Sequence, residues 1–318
     1  MPEVPRFKLN TGALMPAVGL GGWGGVEQEA RINAWQFMVP ALQSGYRLID
    51  TAWAYGTERA TGEAIKKSSI PRDQIWITTK LHHQHQGVFV EEYFEDSLKN
   101  LDMDYVDLLS KVLTLTDQLL LHWPQTSKFV AGVTDPLDQD GDLITYDTPI
   151  FPESWARMER IYESGKAKAI GVSNFSIKNL EKLLETAKVV PAVNQVETHP
   201  YLVQQDLKDY CDKKGIVLTA YTPTGYSTVR NDPTILELAD KYKVTPAQII
   251  LGWHIARGVA VVPKSSNEQR QRDNINLPTL DPEDVKRISG LDRNQRLCNY
   301  AKKPGGKVWG WTYEQLGW

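Results

Sequence analysis

The stretch from Tyr46 to Gly56 reads Tyr-Arg-Leu-Ile-Asp-Thr-Ala-Trp-Ala-Tyr-Gly. It begins as a short apolar run, typical of a strand buried on both faces, and ends in a glycine-marked loop. A carboxylate, Asp50, and a phenol, Tyr55, lie between the two. Lys80 ends a second apolar run and His122 ends a third. We predict that these four polar groups meet in one pocket.

Outward from this stretch, short β-branched runs alternate with amphipathic helical segments along the whole chain. The predicted strands are 18–21, 47–51, 75–80, 119–122, 167–172, 192–196, 216–221 and 259–263. Eight such strand–helix units predict a (β/α)8 barrel with its active site at the carboxyl ends of the strands. A β-hairpin over Arg6–Gly21 is predicted to precede the barrel, and residues 1–318 are predicted to form a single domain.

A doubly wound open sheet is the alternative architecture, and it requires a glycine-rich phosphate turn after the first strand. The glycines between Gly19 and Gly25 resemble that turn superficially. Trp23 interrupts them, however, and no acidic residue follows at the distance that a ribose-binding carboxylate requires. The barrel is therefore favoured.

The composition is that of a globular protein, with 41% hydrophobic and 24% charged residues. The formal net charge of -3 favours neither nucleic acid nor an anionic membrane as a partner. Residues 1–10 lack the long apolar core of a signal peptide. The two cysteines, Cys211 and Cys298, are too few for a disulfide framework, so a cytoplasmic location is expected.

The four polar groups suit the addition of a hydride and a proton across a carbonyl group. A tyrosine has a pKa near 10 and is a weak acid, but an adjacent ammonium favours its phenolate and is expected to lower that pKa. A carboxylate can hold the ammonium in place, and a neutral imidazole can orient the carbonyl oxygen. The hydride would come from a cofactor.

Six motifs at predicted strand ends carry a resemblance to a known family. They are Asp50-x4-Tyr55, Thr79-Lys80-Leu81, His122-Trp123-Pro124, Gly171-Val172-Ser173-Asn174-Phe175, Asn194-Gln195 and Val262-Pro263-Lys264-Ser265. In this order they resemble the aldo-keto reductases over nearly the whole chain. The ending, residues 310–318, is similar to that of fungal glycerol dehydrogenases and aldose reductase-type members of the family.

The resemblance implies a NADPH-dependent reductase of small aldehydes, aldoses or ketones that acts as a monomer, with a C-terminal tail over the active-site mouth. It makes Tyr55 the general acid, Lys80 and Asp50 the groups that tune it, and His122 the imidazole that orients the substrate. The implied cofactor-binding residues are Ser173, Asn174, Gln195, Tyr221, Lys264, Ser265, Arg270 and Asn274, with Lys264 and Arg270 on a 2′-phosphate. The implied pocket walls are Trp23, Trp53, His82, Trp123 and Trp309.

The sequence departs from the family pattern in two places. His82 stands where many relatives carry a tryptophan after Lys80-Leu81. An insertion at about 110–119 lengthens the segment before His122, and we expect 119–123 to form the fourth strand while the insertion loops out at the N-terminal face. If it instead displaces the strand, the chain is a NADPH-binding regulatory subunit or a catalytically impaired isoform.

The cluster His82-His83-x-His85 suggests a metal site, but the sequence does not favour one. Neighbouring residues of a strand point to opposite faces, and no cysteine or acidic cluster accompanies these histidines. We therefore expect no metal.

Overall fold

The N-terminal hairpin closes one end of the molecule. The structure is a computed structural model that describes residues 4–102, 116–130, 133–303 and 305–318. Strands β1 (Arg6–Lys8) and β2 (Leu14–Pro16) pair antiparallel. Leu9 and Met15 pack against Leu48 and Leu120 inside the barrel, so the hairpin fills its N-terminal end. The hairpin is shorter than predicted, because the chain enters the barrel from Ala17 onward.

Eight parallel strands follow, and neighbours along the chain are neighbours in the sheet. They are β3 (Leu20–Gly21), β4 (Leu48–Asp50), β5 (Trp76–Leu81), β6 (Thr116–Leu121), β7 (Ala167–Ser173), β8 (Val193–Glu197), β9 (Val217–Tyr221) and β10 (Ala260–Val261). The sheet closes because Val261 forms a parallel bridge to Val18 and donates to the Ala17 carbonyl at 2.8 Å. The predicted (β/α)8 barrel is confirmed.

Helices surround the strands. They are α1 (Gln28–Ile32), α2 (Trp35–Ser44), α3 (Glu58–Ser68), α4 (Val90–Asn100), α5 (Phe151–Glu163), α6 (Ile177–Leu184), α7 (Gln205–Lys214), α8 (Tyr226–Arg230), α9 (Pro233–Tyr242), α10 (Pro246–Ala256), α11 (Glu268–Ile275), α12 (Pro282–Ser289) and α13 (Tyr313–Leu316). The helical segment between β3 and β4 is divided into two helices, α1 and α2. In the described residues, no helix has both the length and the apolar character needed to cross a bilayer.

The strands alternate between two buried layers. Ile49, Ile77 and Leu119 face the helices in the main core, whereas Leu48 and Leu120 face the barrel interior. This alternation follows from the two-residue period of a strand, and it is what lets short, wholly apolar runs fill both layers.

The strand next to His122 pairs as expected. In β6, Leu120 lies opposite Lys80 of β5 and Gly171 of β7. The expected boundary between insertion and strand was wrong, because residues 116–118 belong to β6 together with the expected residue 119. The rest of the insertion, 110–115, lies outside the described residues.

The C-terminal tail crosses the carboxyl ends of the strands, as predicted. The Glu197 carboxylate accepts hydrogen bonds from the backbone N–H groups of Leu297, Cys298 and Asn299, at 2.6, 2.9 and 3.2 Å. Farther along the tail, the Gln125 amide donates to the carbonyl of Trp309 at 3.1 Å. The tail is thus bonded to the last residue of β8 and to the loop that follows β6.

Candidate active site

The structure brings the four candidate catalytic side chains together at the carboxyl ends of three adjacent strands. Asp50 ends β4, Lys80 lies next to the end of β5, and His122 directly follows β6. Tyr55 ends a 3₁₀ turn, Trp53–Tyr55, that follows β4. Gly56 stops this turn with a φ of 63°, in the left-handed region that glycine adopts without steric cost.

Lys80 is the centre of the buried polar network. Its Nζ donates to Asp50 Oδ2 at 2.7 Å, to the Thr51 carbonyl at 2.9 Å and to Tyr55 OH at 3.4 Å. The other oxygen of Asp50 accepts from Gln195 Nε2 at 2.7 Å. Because both charges are buried, each needs these partners to offset the loss of hydration.

The pKa shifts in this network correct one expectation. Burial raises the pKa of Tyr55 above its ordinary value, and the lowering effect of the Lys80 ammonium does not offset it. The predicted net lowering was therefore wrong, because burial cannot be read from the motif. Burial opposes the charge on Lys80, but Asp50 and Tyr55 favour it, and the pKa of Lys80 lies above its ordinary value. Tyr55 thus holds its proton and Lys80 its charge at neutral pH.

His122 faces Tyr55 across the pocket. The two ring centroids are 5.5 Å apart with an interplanar angle of 75°. Burial, followed by the charge of Lys80, holds the pKa of His122 well below its ordinary value, so the imidazole is neutral. Its buried Nδ1 has no hydrogen-bond partner among the residues that the structure describes.

The residues expected at the nicotinamide form a second network beside the first. Asn174 Nδ2 donates to the His122 carbonyl at 2.9 Å, and Tyr221 OH donates to Asn174 Oδ1 at 2.7 Å. Ser173 Oγ donates to the carbonyl of Gln195 at 2.8 Å. Gln195 Oε1 is buried and, within the described part of the chain, has no partner. The acceptor Gln195 Oε1 beside Asp50 therefore receives no hydrogen bond from the described residues.

The residues expected to bind the adenosine part of the cofactor lie after β10. Lys264 is exposed, and its Nζ lies 4.9 Å from the ring centroid of Phe37. Burial lowers the pKa of Lys264, and the nearby charge of Arg270 lowers it further. Ser265 Oγ accepts from the Asn267 N–H at 3.1 Å, while Asn274 is buried on α11. The two cations therefore lie close to each other near the start of this helix.

The expected wall residues differ in their placement. Trp53 packs edge-on against His85, with centroids 4.2 Å apart, and tilts toward His82 at 5.5 Å. Trp123 is buried and lies 6.2 Å from the half-exposed Trp309 of the tail. Trp23 is 49% exposed and therefore contributes less buried surface than the other expected walls.

Three residues that the motifs did not single out also build this mouth. Glu197 anchors the tail, and Asn299 Nδ2 donates to Tyr221 OH at 2.9 Å. Asp135 lies against two histidines after β5, His82 and His83. The signal for Glu197 was available, since a charged residue ends an otherwise uncharged strand. Nothing in the sequence connects Asp135 with residues more than fifty positions earlier.

Comparisons with known proteins agree with this geometry. The model of the aldo/keto reductase family matches residues 17–293. A glycerol 2-dehydrogenase (NADP(+)) of Saccharomyces cerevisiae is 39% identical, with 91% of each chain covered. An aldehyde reductase of the same organism is 42% identical, with 90% of each chain covered.

A solved aldose reductase structure from Schistosoma japonicum superposes with a TM-score of 0.84 and is 30% identical, covering 96% of this chain and 97% of the other. The sequence match spans the barrel from its first strand to the start of the tail. With the closed barrel and the buried network around Lys80, these matches show that the chain belongs to the aldo/keto reductase family.

Proposed function

We propose that this chain catalyses the reversible NADPH-dependent reduction of small aldehydes, aldoses or ketones to alcohols. The observation that carries the proposal is the grouping of Tyr55, Lys80 and His122 at one pocket, with Tyr55 OH 3.4 Å from Lys80 Nζ. The names of its relatives, an aldehyde reductase and a glycerol 2-dehydrogenase, support the same reaction class.

Tyr55 is the proton donor in this proposal. Its raised pKa keeps the phenol protonated until negative charge develops on the carbonyl oxygen. The proton then passes to that oxygen, and the phenolate left behind is stabilised by the Lys80 ammonium. Asp50 holds the ammonium in position through the 2.7 Å ion pair. In the reverse direction, the phenolate accepts the proton of the alcohol.

His122 orients the carbonyl. Because its imidazole is neutral, it can donate one hydrogen bond to the substrate oxygen without competing with Tyr55 as an acid. The packing of the two rings at 5.5 Å allows both groups to reach a single oxygen atom placed between them.

The chain's polar groups suit a nicotinamide cofactor, which when bound supplies the hydride. Gln195 Oε1 is a buried acceptor without a partner in the described residues, and it matches the N–H donors of a carboxamide. Ser173 and Asn174 would complete the contacts with that amide, and Tyr221 would pack on the ring.

The adenosine end favours NADPH over NADH. Lys264 and Arg270 lie close enough for the charge of one to lower the pKa of the other, and an anion between them would relieve this repulsion. A 2′-phosphate supplies that anion and accepts charge-assisted hydrogen bonds. Ser265 and Asn274 complete this end of the site.

The proposed substrates are small and polar. His82 contributes an imidazole to the wall beside Trp53 where many relatives carry a tryptophan, so this wall is more polar. We also propose that the enzyme works as a cytoplasmic monomer, in keeping with its two free cysteines, Cys211 and Cys298.

The test is steady-state oxidation of NADPH with glyceraldehyde or xylose as substrate. Wild type should turn over, and Tyr55→Phe should lose reduction while still quenching NADPH fluorescence. Tyr146→Phe, at an exposed position, is the matched control and should behave as wild type. Tight NADPH binding without turnover in folded wild type would contradict the proposal and favour a cofactor-binding regulatory subunit.

A further inference from the structure

A compact cluster of three possible metal ligands lies beside the active site, and although His82 also lines the proposed substrate pocket, none of the three moves a proton in the proposed reaction. It consists of His82, His83 and Asp135, which we call the His–Asp cluster. Each residue offers one ligand atom, and these atoms all lie within 4.8 Å of one another. Asp135 Oδ1 is 3.2 Å from His82 Nε2 and 2.8 Å from His83 Nε2.

The backbone explains why two consecutive histidines can act together. Strand β5 ends at Leu81, so His82 begins a 3₁₀ turn over His83–His85 instead of continuing the alternation of a strand. The two imidazole centroids are 3.8 Å apart. The sequence argument against a metal assumed strand geometry at this point, and the structure removes that assumption.

Asp135 supplies the carboxylate that the local sequence lacks. It belongs to the long loop after β6, and its backbone has a φ of 58°, a conformation that aspartate tolerates better than most residues. Its side chain remains 36% exposed, whereas both histidine side chains are 3% exposed. The cluster is thus buried on one side and open on the other.

We propose that the His–Asp cluster is a binding site for a divalent transition-metal ion, best matched to Zn²⁺. Two imidazoles and one carboxylate are a ligand set that zinc takes in proteins with an open fourth position. Ligand atoms around a four-coordinate zinc are about 3.3 Å apart, given the usual bond lengths of about 2.0–2.1 Å. The contacts of Asp135 with His82 and His83, 3.2 and 2.8 Å, are close to that separation.

Nε2 of both imidazoles now donates to the Asp135 carboxylate, so metal binding through Nε2 moves each of these protons to Nδ1. A neutral imidazole coordinates through an unprotonated nitrogen, so each ring must carry its proton on Nδ1 when Nε2 binds the metal. Nδ1 of His83 has no partner in the described part of the chain and is free to carry it. Nδ1 of His82 accepts from the Gln84 N–H at 3.3 Å, a long contact that the bound form would give up.

An ion can reach the cluster from solvent. His82 and Asp135 line a cavity of about 510 Å³ that also borders Trp53 and Gly56. This cavity provides the entry path and room for a water molecule or another small ligand in the fourth position. His85, by contrast, stacks on Tyr93 with ring centroids 3.2 Å apart, and we do not include it among the ligands.

Metal binding should be measured directly on the full chain after treatment with a chelator, so the result does not depend on turnover. Isothermal titration with Zn²⁺ should show one saturable site per chain, and Co²⁺ should give visible d–d absorption bands. His83→Ala and Asp135→Asn should each weaken Zn²⁺ binding by more than the roughly 10- to 100-fold that loss of an outer-shell partner costs, and should abolish the Co²⁺ bands.

Two matched variants locate the ion. Asp140→Asn makes the same chemical change at an exposed position of the same loop and should bind Zn²⁺ as wild type does. Cys298→Ser removes the exposed thiol and should also leave binding unchanged. Circular dichroism of each variant verifies folding. The proposal is overturned if wild type binds no more tightly than folded Asp135→Asn, or if Cys298→Ser removes the binding.

Discussion

At the scale of single residues, the ion pair between Asp50 and Lys80 connects stability with chemistry. Both side chains are almost fully buried, and the pair is 2.7 Å long. Asp50→Asn leaves the Lys80 ammonium buried without a counter-charge, so we expect the free energy of unfolding to fall by about 3–5 kcal/mol. Turnover should fall as well, because the ammonium is no longer held against Tyr55. Urea unfolding and NADPH oxidation measure the two effects.

The control for this substitution is Asp240→Asn. Asp240 pairs with Lys243 at 2.8 Å, but both side chains are largely exposed, so the same chemical change should leave stability and turnover unaltered. Equal losses in the two variants would contradict the role of burial at Asp50.

Arg270 sets the choice between the two nicotinamide cofactors in the proposed function. Arg270→Ala removes a charged hydrogen bond worth about 1.5–3 kcal/mol, so the Kd for NADPH should rise by about 10- to 100-fold. The Kd for NADH should not change, because NADH lacks the 2′-phosphate. Arg272→Ala, on the same helix and paired with Glu268 at the surface, is the matched control. Fluorescence titration with each cofactor measures the two Kd values. Equal weakening of NADPH and NADH binding would contradict a contact of Arg270 with the 2′-phosphate.

Secondary-structure elements were predictable from the sequence where the apolar pattern alone determines them. The runs ending at Asp50 and Leu121 became β4 and β6, because a buried parallel strand needs little more than a short apolar segment. The turn that follows β5 was not predictable in this way. His82 and His83 continue the chain directly, and only the structure shows the 3₁₀ turn that places both imidazoles together.

The sequence predicted which residues form the site better than it predicted their pKa values. Lys80 and Tyr55 stand in recognisable motifs, but the balance between burial and charge that raises the Tyr55 pKa depends on the packing around them. Asp135 and Asn299 reach the site from distant loops and carry no local signal. The insertion shows the same limit, since pairing of Thr116 with Ala167 of β7 determines that residue 116 already belongs to β6.

The first part of the C-terminal tail is bonded to one carboxylate, that of Glu197. Burial acts to raise the pKa of Glu197, but hydrogen bonds from His199 and from the tail backbone outweigh it, so this pKa lies below its ordinary value. A carboxylate with a lowered folded-state pKa stabilises the fold above its unfolded pKa of about 4.3 and loses this contribution as the pH falls through the folded value. Tyr221, Tyr226 and Arg296 are further titratable groups that interact with the charge of Glu197.

Glu197→Gln should therefore loosen the tail at neutral pH, and the difference from wild type should shrink at acidic pH below about 4.3. Hydrogen exchange at the Leu297–Asn299 amides measures this directly, with faster exchange expected in the variant. Glu314→Gln, an exposed change in the same tail, should have no effect. Unchanged protection in Glu197→Gln would show that other contacts hold the tail.

At the scale of the whole molecule, the contacts between distant parts support our proposal that residues 1–318 form one domain. The hairpin packs inside the barrel through Leu9 and Met15, and at the other end the tail is bonded to Glu197 of β8 and to Gln125 after β6. Among the residues that the structure describes, the buried apolar side chains of each end pack together with side chains of the barrel or its loops, so neither end should remain folded once the barrel opens. Thermal unfolding followed by far-ultraviolet circular dichroism and by tryptophan fluorescence should give coincident transitions.

NADPH at 100 times its Kd should stabilise the fold by about 2.7 kcal/mol and shift both transitions together. Separate transitions, or a shift confined to one signal, would contradict the single domain, because a ligand that binds one cooperative unit must stabilise all of it.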